Sequence, residues 1–211
     1  NFAIGCIVSR PMIRPMSPVP SIIGDLRDAD AVRAACAGVD TVFQTAAIVD
    51  WGPRGRDRLV AVNVEGNRNV IAACRSQGVR RLIYTSSIDV VFDGTPLVDA
   101  GETLPYPAEH LDIYGETKAQ AERDTLAAHD PDGLQTCALR PAGIYGPGDR
   151  ERIPSILDAA RRHVLIRLGD GSAKFSHVYV ANVVHAHILA AYGLADGAPL
   201  GGETYFIADH P

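Results

Sequence analysis

Short apolar runs rich in β-branched and aromatic residues alternate along this chain with segments of helical period. Thr41–Thr45, Arg81–Ser86 and Gln135–Arg140 read as buried strands. Between and around them, Asp28–Ala37, Leu59–Gln77 and Tyr114–Ala128 read as helices, the first two stopped by Gly38 and Gly78. That alternation predicts an α/β fold on a mainly parallel sheet. Upstream, Phe2–Val8 is a further strand-like run, followed by a Pro- and Met-rich loop to Pro20 and by Ser21–Gly24. Asp89–Asp112, with its Pro, Gly and acidic residues, reads as a surface loop. Beyond it come helices at Ile153–His163 and Ala181–Leu194 and strands at Leu165–Leu168, Phe175–Tyr179 and Thr204–Ile207.

Composition excludes several partners. The 211 residues are 46% hydrophobic and 21% charged, with a net charge of −5, so there is no basic footprint for nucleic acid. No apolar run approaches the roughly 20 residues that cross a bilayer. Cys6, Cys36, Cys74 and Cys137 stand apart among apolar neighbours, as buried reduced thiols of a cytoplasmic protein do. His185-Ala-His187 has the wrong period for one helical face, and no metal site is expected.

The chemistry centres on Tyr114-Gly-Glu-Thr-Lys118. On a helix this spacing sets both side chains on one face, where the ammonium can lower the phenol's pKa. Ser86 and Ser87 end a buried strand, the edge where sheets of this class place ligands, and Ser87 is the chosen partner for a substrate oxygen. Asn63, on the preceding helix, either bonds locally or reaches the helix of Tyr114 and holds a water for proton relay. Gly24-Asp25-Leu26 is by itself a turn capped by Asp28, or a grip on an adenine edge. Ala46 and Ala47 permit close approach of a flat cofactor or simply pack tightly, and Pro141 breaks its strand so that small residues can face a nicotinamide. The order of these pieces points to a nicotinamide-dependent oxidoreductase.

Three stretches carry a resemblance: Arg81-Leu-Ile-Tyr-Thr-Ser-Ser-Ile-Asp-Val90, Tyr114-x-x-x-Lys118 and Thr136-Cys-Ala-Leu-Arg-Pro-Ala-Gly-Ile-Tyr-Gly146. Together they resemble the extended short-chain dehydrogenase/reductase superfamily, and within it most closely the 3β-hydroxysteroid dehydrogenase/isomerase family. The resemblance covers roughly residues 22–209 and includes Asn63–Gly66 and Phe175–Val183. It implies a doubly wound Rossmann-type sheet, with 1–150 as a partial dinucleotide-binding domain and 151–211 as a partial substrate lobe interleaved with the last Rossmann elements. It further implies that Tyr114 is the general acid/base, that Lys118 lowers its pKa and bonds the nicotinamide ribose, that Ser87 orients the substrate oxygen and that Asn63 sits in the relay. Asp25 and Leu26 would contact adenine, Ala46 and Ala47 the ribose side, and Pro141 and Ile144 the nicotinamide.

The chain also departs from that pattern. It has no Gly-x-x-Gly-x-x-Gly turn, so Phe2–Val8 aligns with the second strand of the fold and an internal fragment or a reduced member is expected. Gln44 stands where many relatives carry His. Ser9-Arg10, at the end of that strand, leans to NADP; the family resemblance leans to NAD, which is the expected cofactor. The expected reaction is hydride transfer between a nicotinamide and a small secondary alcohol or ketone, 3β-hydroxysteroid-like, with a homodimer as the candidate assembly. The alternatives are a nucleotide-sugar epimerase or dehydratase on the same scaffold, and a non-catalytic or inactive dinucleotide-binding fragment.

Overall fold

The computed structural model describes residues 22–50, 52, 54–149, 152–164, 170, 172–195 and 199–209. Six strands and six helices follow in the order α1 (Ala29–Ala35), β1 (Thr41–Gln44), α2 (Arg56–Leu59), α3 (Gly66–Gln77), β2 (Arg81–Thr85), α4 (Ile113–Ala127), β3 (Gln135–Pro141), β4 (Gly143–Tyr145), α5 (Arg152–Arg161), β5 (His177–Tyr179), α6 (Val180–Ala195) and β6 (Thr204–Ile207). The main sheet is parallel throughout, in the order β1-β2-β3-β6, and β4 with β5 forms a second, two-stranded parallel sheet. Parallel neighbours need a crossover, usually a helix, and the helices between successive strands supply it here.

Strand periodicity divides the core into two layers. Val42, Leu82, Tyr84 and Ala138 face one side, where α1, α3 and α4 pack. Phe43, Ile83, Cys137, Leu139, Tyr205 and Ile207 face the other, against Ala190 and Leu194 of α6. Helices on both faces of a parallel sheet are the doubly wound architecture the alternation predicts. β6 returns to the main sheet beside β3, so the last described residues belong to it. Cys36, Cys74 and Cys137 are buried thiols, and no described helix is long and apolar enough to cross a membrane.

Three local readings need correction. The helix expected as one piece over Leu59–Gln77 is a turn of α-helix, a π-helical segment at Val60–Glu65 and then α3. Apolar spacing near 3.6 does not resolve one wider turn, because a π-turn shifts the period by a single residue. Gly66, directly after it, lets α3 approach the chain: a Cβ there would lie 2.7 Å from the Leu26 Cβ. Pro141 does not break its strand; it is paired with Ile207 as the last residue of β3. Leu139 accepts from Ser86 and so faces β2, and alternate residues face the same neighbour. The absent Pro141 N–H therefore points past the end of β2, where no ladder bond is lost. The loop from Asp89 begins inside a 3-10 turn at Ile88–Val91, with Val90 and Val91 buried. Phe2–Val8, Ser9-Arg10 and Leu165–Leu168 lie outside the described residues.

Candidate active site

Because β1, β2 and β3 are parallel, the segments that leave them share one edge of the sheet. Ala46-Ala47, Ser86-Ser87 and Pro141 are thereby brought together, and α4 supplies Tyr114 and Lys118. The Asp112 carboxylate caps α4 by accepting from the Gly115 N–H at 2.7 Å. From this start Tyr114, Lys118 and Glu122 follow at four-residue intervals down one strip, with exposures of 8%, 3% and 0%.

Ser87 adopts extended backbone and caps the 3-10 turn, accepting from the Asp89 N–H at 3.2 Å and donating to Asp89 Oδ2 at 2.9 Å. Its hydroxyl also acts on the Tyr114 phenol, favouring the phenolate. Burial and the Asp89 carboxylate nevertheless hold the Tyr114 phenol well above its ordinary value, Ser87 only partly opposing them. The lowering by Lys118 that the spacing predicts is thus absent from this geometry. The physical reason is where the ammonium goes: Lys118 Nζ donates to the Thr85 carbonyl at 2.5 Å and lies 4.3 Å from the centre of the Tyr84 ring. Burial brings the Lys118 pKa down to about 7, with Glu122 opposing.

Asn63 lies in the π-helical segment and is 2% exposed. Its Oδ1 accepts from the Ile48 N–H at 2.8 Å, and its Nδ2 donates to the Ile48 carbonyl at 3.0 Å and to Thr117 Oγ1 at 3.1 Å. It therefore reaches the helix of Tyr114, but both amide protons are engaged by protein. One Oδ1 lone pair is left for a water.

The expected cofactor residues divide. The Leu26 side chain is 3% exposed and packs against Gly66 in the core, while its carbonyl accepts from Asn69 Nδ2 at 2.8 Å. Only its main chain can face adenine. Asp25 is forked by Arg27, through Nε at 3.0 Å and Nη2 at 2.6 Å, and its pKa falls to about 2 through those bonds. Ala46 and Ala47 are half-buried, and Gln44 folds onto the Ala46 peptide, accepting from its N–H at 3.1 Å and donating to its carbonyl at 3.3 Å. Pro141 is buried and Ile144 is 40% exposed on β4.

Two observations test these residues against a nicotinamide nucleotide. The Ser86 hydroxyl is buried with no hydrogen-bond partner among the described residues. The Lys118 ammonium also keeps two of its three protons without an acceptor among them. A group bearing vicinal hydroxyls beside small residues satisfies both, so the ribose–nicotinamide half of the dinucleotide fits this edge.

Sequence reasoning missed a second set of buried polar groups. Arg140 Nη2 meets Glu122 Oε1 at 2.6 Å, Arg140 Nε approaches both Glu122 oxygens, and the Tyr106 hydroxyl donates to Glu122 Oε1 at 2.6 Å. The signal was partial: Glu122 continues the Tyr114–Lys118 strip by one more turn, but nothing local in the sequence ties it to Arg140 of β3. His187 is also structural. Its Nδ1 pairs with the Val183 carbonyl and its Nε2 with Thr85 Oγ1, and burial lowers its pKa against the opposing Val183 bond. No metal-binding cluster occurs among the described residues.

The sequence profile of the 3-beta hydroxysteroid dehydrogenase/isomerase family matches residues 13–211. A 3 beta-hydroxysteroid dehydrogenase/Delta 5-->4-isomerase of Mycobacterium tuberculosis is 40% identical over 207 residues, covering 94% of this chain and 56% of its own. A 3beta-hydroxysteroid-dehydrogenase/decarboxylase of Arabidopsis thaliana is 44% identical over 197 residues, covering 90% and 45%. Among solved structures, the dTDP-glucose 4,6-dehydratase of Streptomyces venezuelae with NAD bound superposes with a TM-score of 0.73 at 25% identity, over 88% of this chain and 57% of that one. The chain spans about half the length of the curated relatives it matches.

Proposed function

The chain belongs to the 3-beta hydroxysteroid dehydrogenase/isomerase family, and from that premise we propose that it carries the proton-transfer site of an NAD-dependent oxidoreductase interconverting a secondary alcohol and a ketone on a sterol-like substrate. One observation carries the reading: Tyr114 and Lys118 share one buried strip of α4, and the Lys118 ammonium is bonded to the Thr85 carbonyl where β2 ends, two residues before Ser87.

Lys118 would hold the cofactor's ribose with its two unspent protons, and Ala46, Ala47 and Pro141 would flank it. When bound, the nicotinamide supplies the hydride acceptor or donor. The rest falls to the chain's own side chains. A protonated Tyr114 is set to give its proton to a carbonyl oxygen, which becomes the hydroxyl oxygen of the alcohol. In the reverse direction the phenolate takes that proton. Ser87 would lie beside the same oxygen, and its proton, which Asp89 accepts here, would turn from that carboxylate to the carbonyl oxygen when substrate binds. Asn63 holds α4 against the exit of β1 through Thr117.

The proposed division is a partial dinucleotide-binding domain over 1–150 and a partial substrate lobe over 151–211. The proposed setting is a cytoplasmic homodimer. A nucleotide-sugar epimerase or dehydratase would use the same tyrosine and lysine, and the likeness to the dTDP-glucose dehydratase supports that second reading.

The test is NADH binding by fluorescence, followed by NAD reduction with a 3β-hydroxysteroid and, separately, by product analysis after incubation with NAD and a UDP-sugar, because an epimerase or dehydratase returns the hydride to the sugar and leaves no net NADH. Turnover of the steroid alone is expected. Turnover of the sugar alone transfers the reading to the epimerase class, and binding without turnover of either points to a non-catalytic module.

A further inference from the structure

Lys118 has few protein partners, and its position in the molecule is electrostatically exposed to one acid. Glu122 lies one turn further along the same strip of α4 and is wholly buried. It does not drift: Arg140 from β3 grips both its oxygens, and Tyr106 donates to one of them. Arg140 is itself set between the rings of Tyr106 and Phe206, 5.6 and 5.4 Å from their centres. The carboxylate is therefore held by two side chains from outside its own helix, one turn along the buried strip from the lysine.

We propose that Glu122, clamped by Arg140 and Tyr106, is a positioning residue for Lys118, its fixed negative charge keeping the ammonium protonated at the end of β2. Arg140 already balances Glu122, so a charged Lys118 leaves the buried triad with one net positive charge, carried at the end of β2. The other groups around Lys118 do not take over this role. On α4, Tyr114 is an uncharged phenol and Asp124 is tied to Arg68 of α3. From β2, Tyr84 presents a ring and Thr85 a carbonyl. Asp89, on the 3-10 turn, is engaged with Ser87 and acts on Tyr114. Glu122 is the group that opposes the effect of burial on Lys118. The catalytic consequence rests on the reading of Lys118 given above; the charge state of the lysine does not.

The chain has two lysines, Lys118 and the exposed Lys174, so lysine labelled with carbon-13 at Cε gives one signal from the site and one internal reference. Titration by NMR needs neither cofactor nor turnover, so a failure of the proposed activity leaves it readable. Wild type is expected to show the Lys118 signal titrating near 7. In Glu122→Gln the midpoint should fall by about one unit or more, because a nearby opposite charge is worth roughly 1–3 units. Glu122→Asp, which keeps the charge but retracts it by one methylene, should fall less, and it serves as the test if the glutamine variant does not fold. A loosened fold would move the midpoint the other way, toward an ordinary lysine, because water would return. A folded variant whose Lys118 midpoint stays at the wild-type value or rises overturns the proposal.

Discussion

The Lys118 ammonium donates to the main-chain carbonyl of Thr85 across 2.5 Å, so that α4 is bonded to the last residue of β2 by a buried charge. The same placement that orients the lysine removes it from water. Folding thus takes a group that ionises at 10.5 in an open chain and releases its proton at about 7.

That shift predicts how stability depends on pH. Between 7 and 10.5 the unfolded chain binds the lysine proton and the folded chain does not, so this group makes stability rise with pH across that window. Below about 7 both states hold the proton and its burial penalty is fully present. Lys118→Met should be more stable than wild type at neutral pH, and the difference should shrink as pH rises. Chemical denaturation at several pH values measures it; a constant difference between the two proteins would contradict the burial argument.

Tyr114→Phe removes the proton donor and keeps the ring. With the proposed chemistry, turnover should drop by at least about 100-fold, the usual scale of general acid–base catalysis, while NADH affinity is unchanged. Steady-state rates and fluorescence titration on the same preparation separate the two. Retained turnover would remove Tyr114 from the mechanism.

Asn63→Ala should be costly for a side chain that touches no apolar core. It strands the Ile48 N–H and carbonyl and removes the donor to the Thr117 hydroxyl in a buried place, for a loss of roughly 2–4 kcal/mol. The Ile48 amide should lose hydrogen-exchange protection first. Wild-type protection there would mean that the π-helical segment does not depend on these bonds.

Arg140→Met leaves the Glu122 carboxylate buried with Tyr106 as its remaining donor, and should cost about 3–5 kcal/mol. The double change Glu122→Leu with Arg140→Met removes both charges and should recover much of that loss. Urea unfolding of the single and double variants reads this directly; a double variant as weak as the single one would show that packing, not an unpaired charge, sets the penalty.

The order of elements was legible because it depends on neighbours in sequence. The runs Thr41–Gln44, Arg81–Thr85 and Gln135–Arg140 announce strands, and Gly78, with φ at +67°, ends α3 as its type and place suggest. The placement of Ser87 at a strand end and of Tyr114 and Lys118 on one helix face was legible for the same reason. The π-turn was not, because it changes the count by one residue in a segment whose apolar spacing tolerates it. Nor was the Arg140–Glu122 pair, since α4 buries Thr117, Lys118, Glu122 and Thr125 together with its alanines. A helix face that mixes buried charge with buried alanine gives almost no hydrophobic period to read.

The sequence by itself determined which groups are available: a phenol, an ammonium and a hydroxyl, each carried by an element whose type follows from local preference. Tertiary structure alone decided their state. Lys118 meets Thr85, Ser87 acts on Tyr114 and Glu122 meets Arg140 only because parallel register sets the ends of β2 and β3 beside α4. Spacing can place a lysine near a tyrosine, but ionisation depends on desolvation and on charges contributed from other strands and turns. Those are properties of the packed sheet, and they turn the expected low-pKa tyrosine into a phenol that holds its proton.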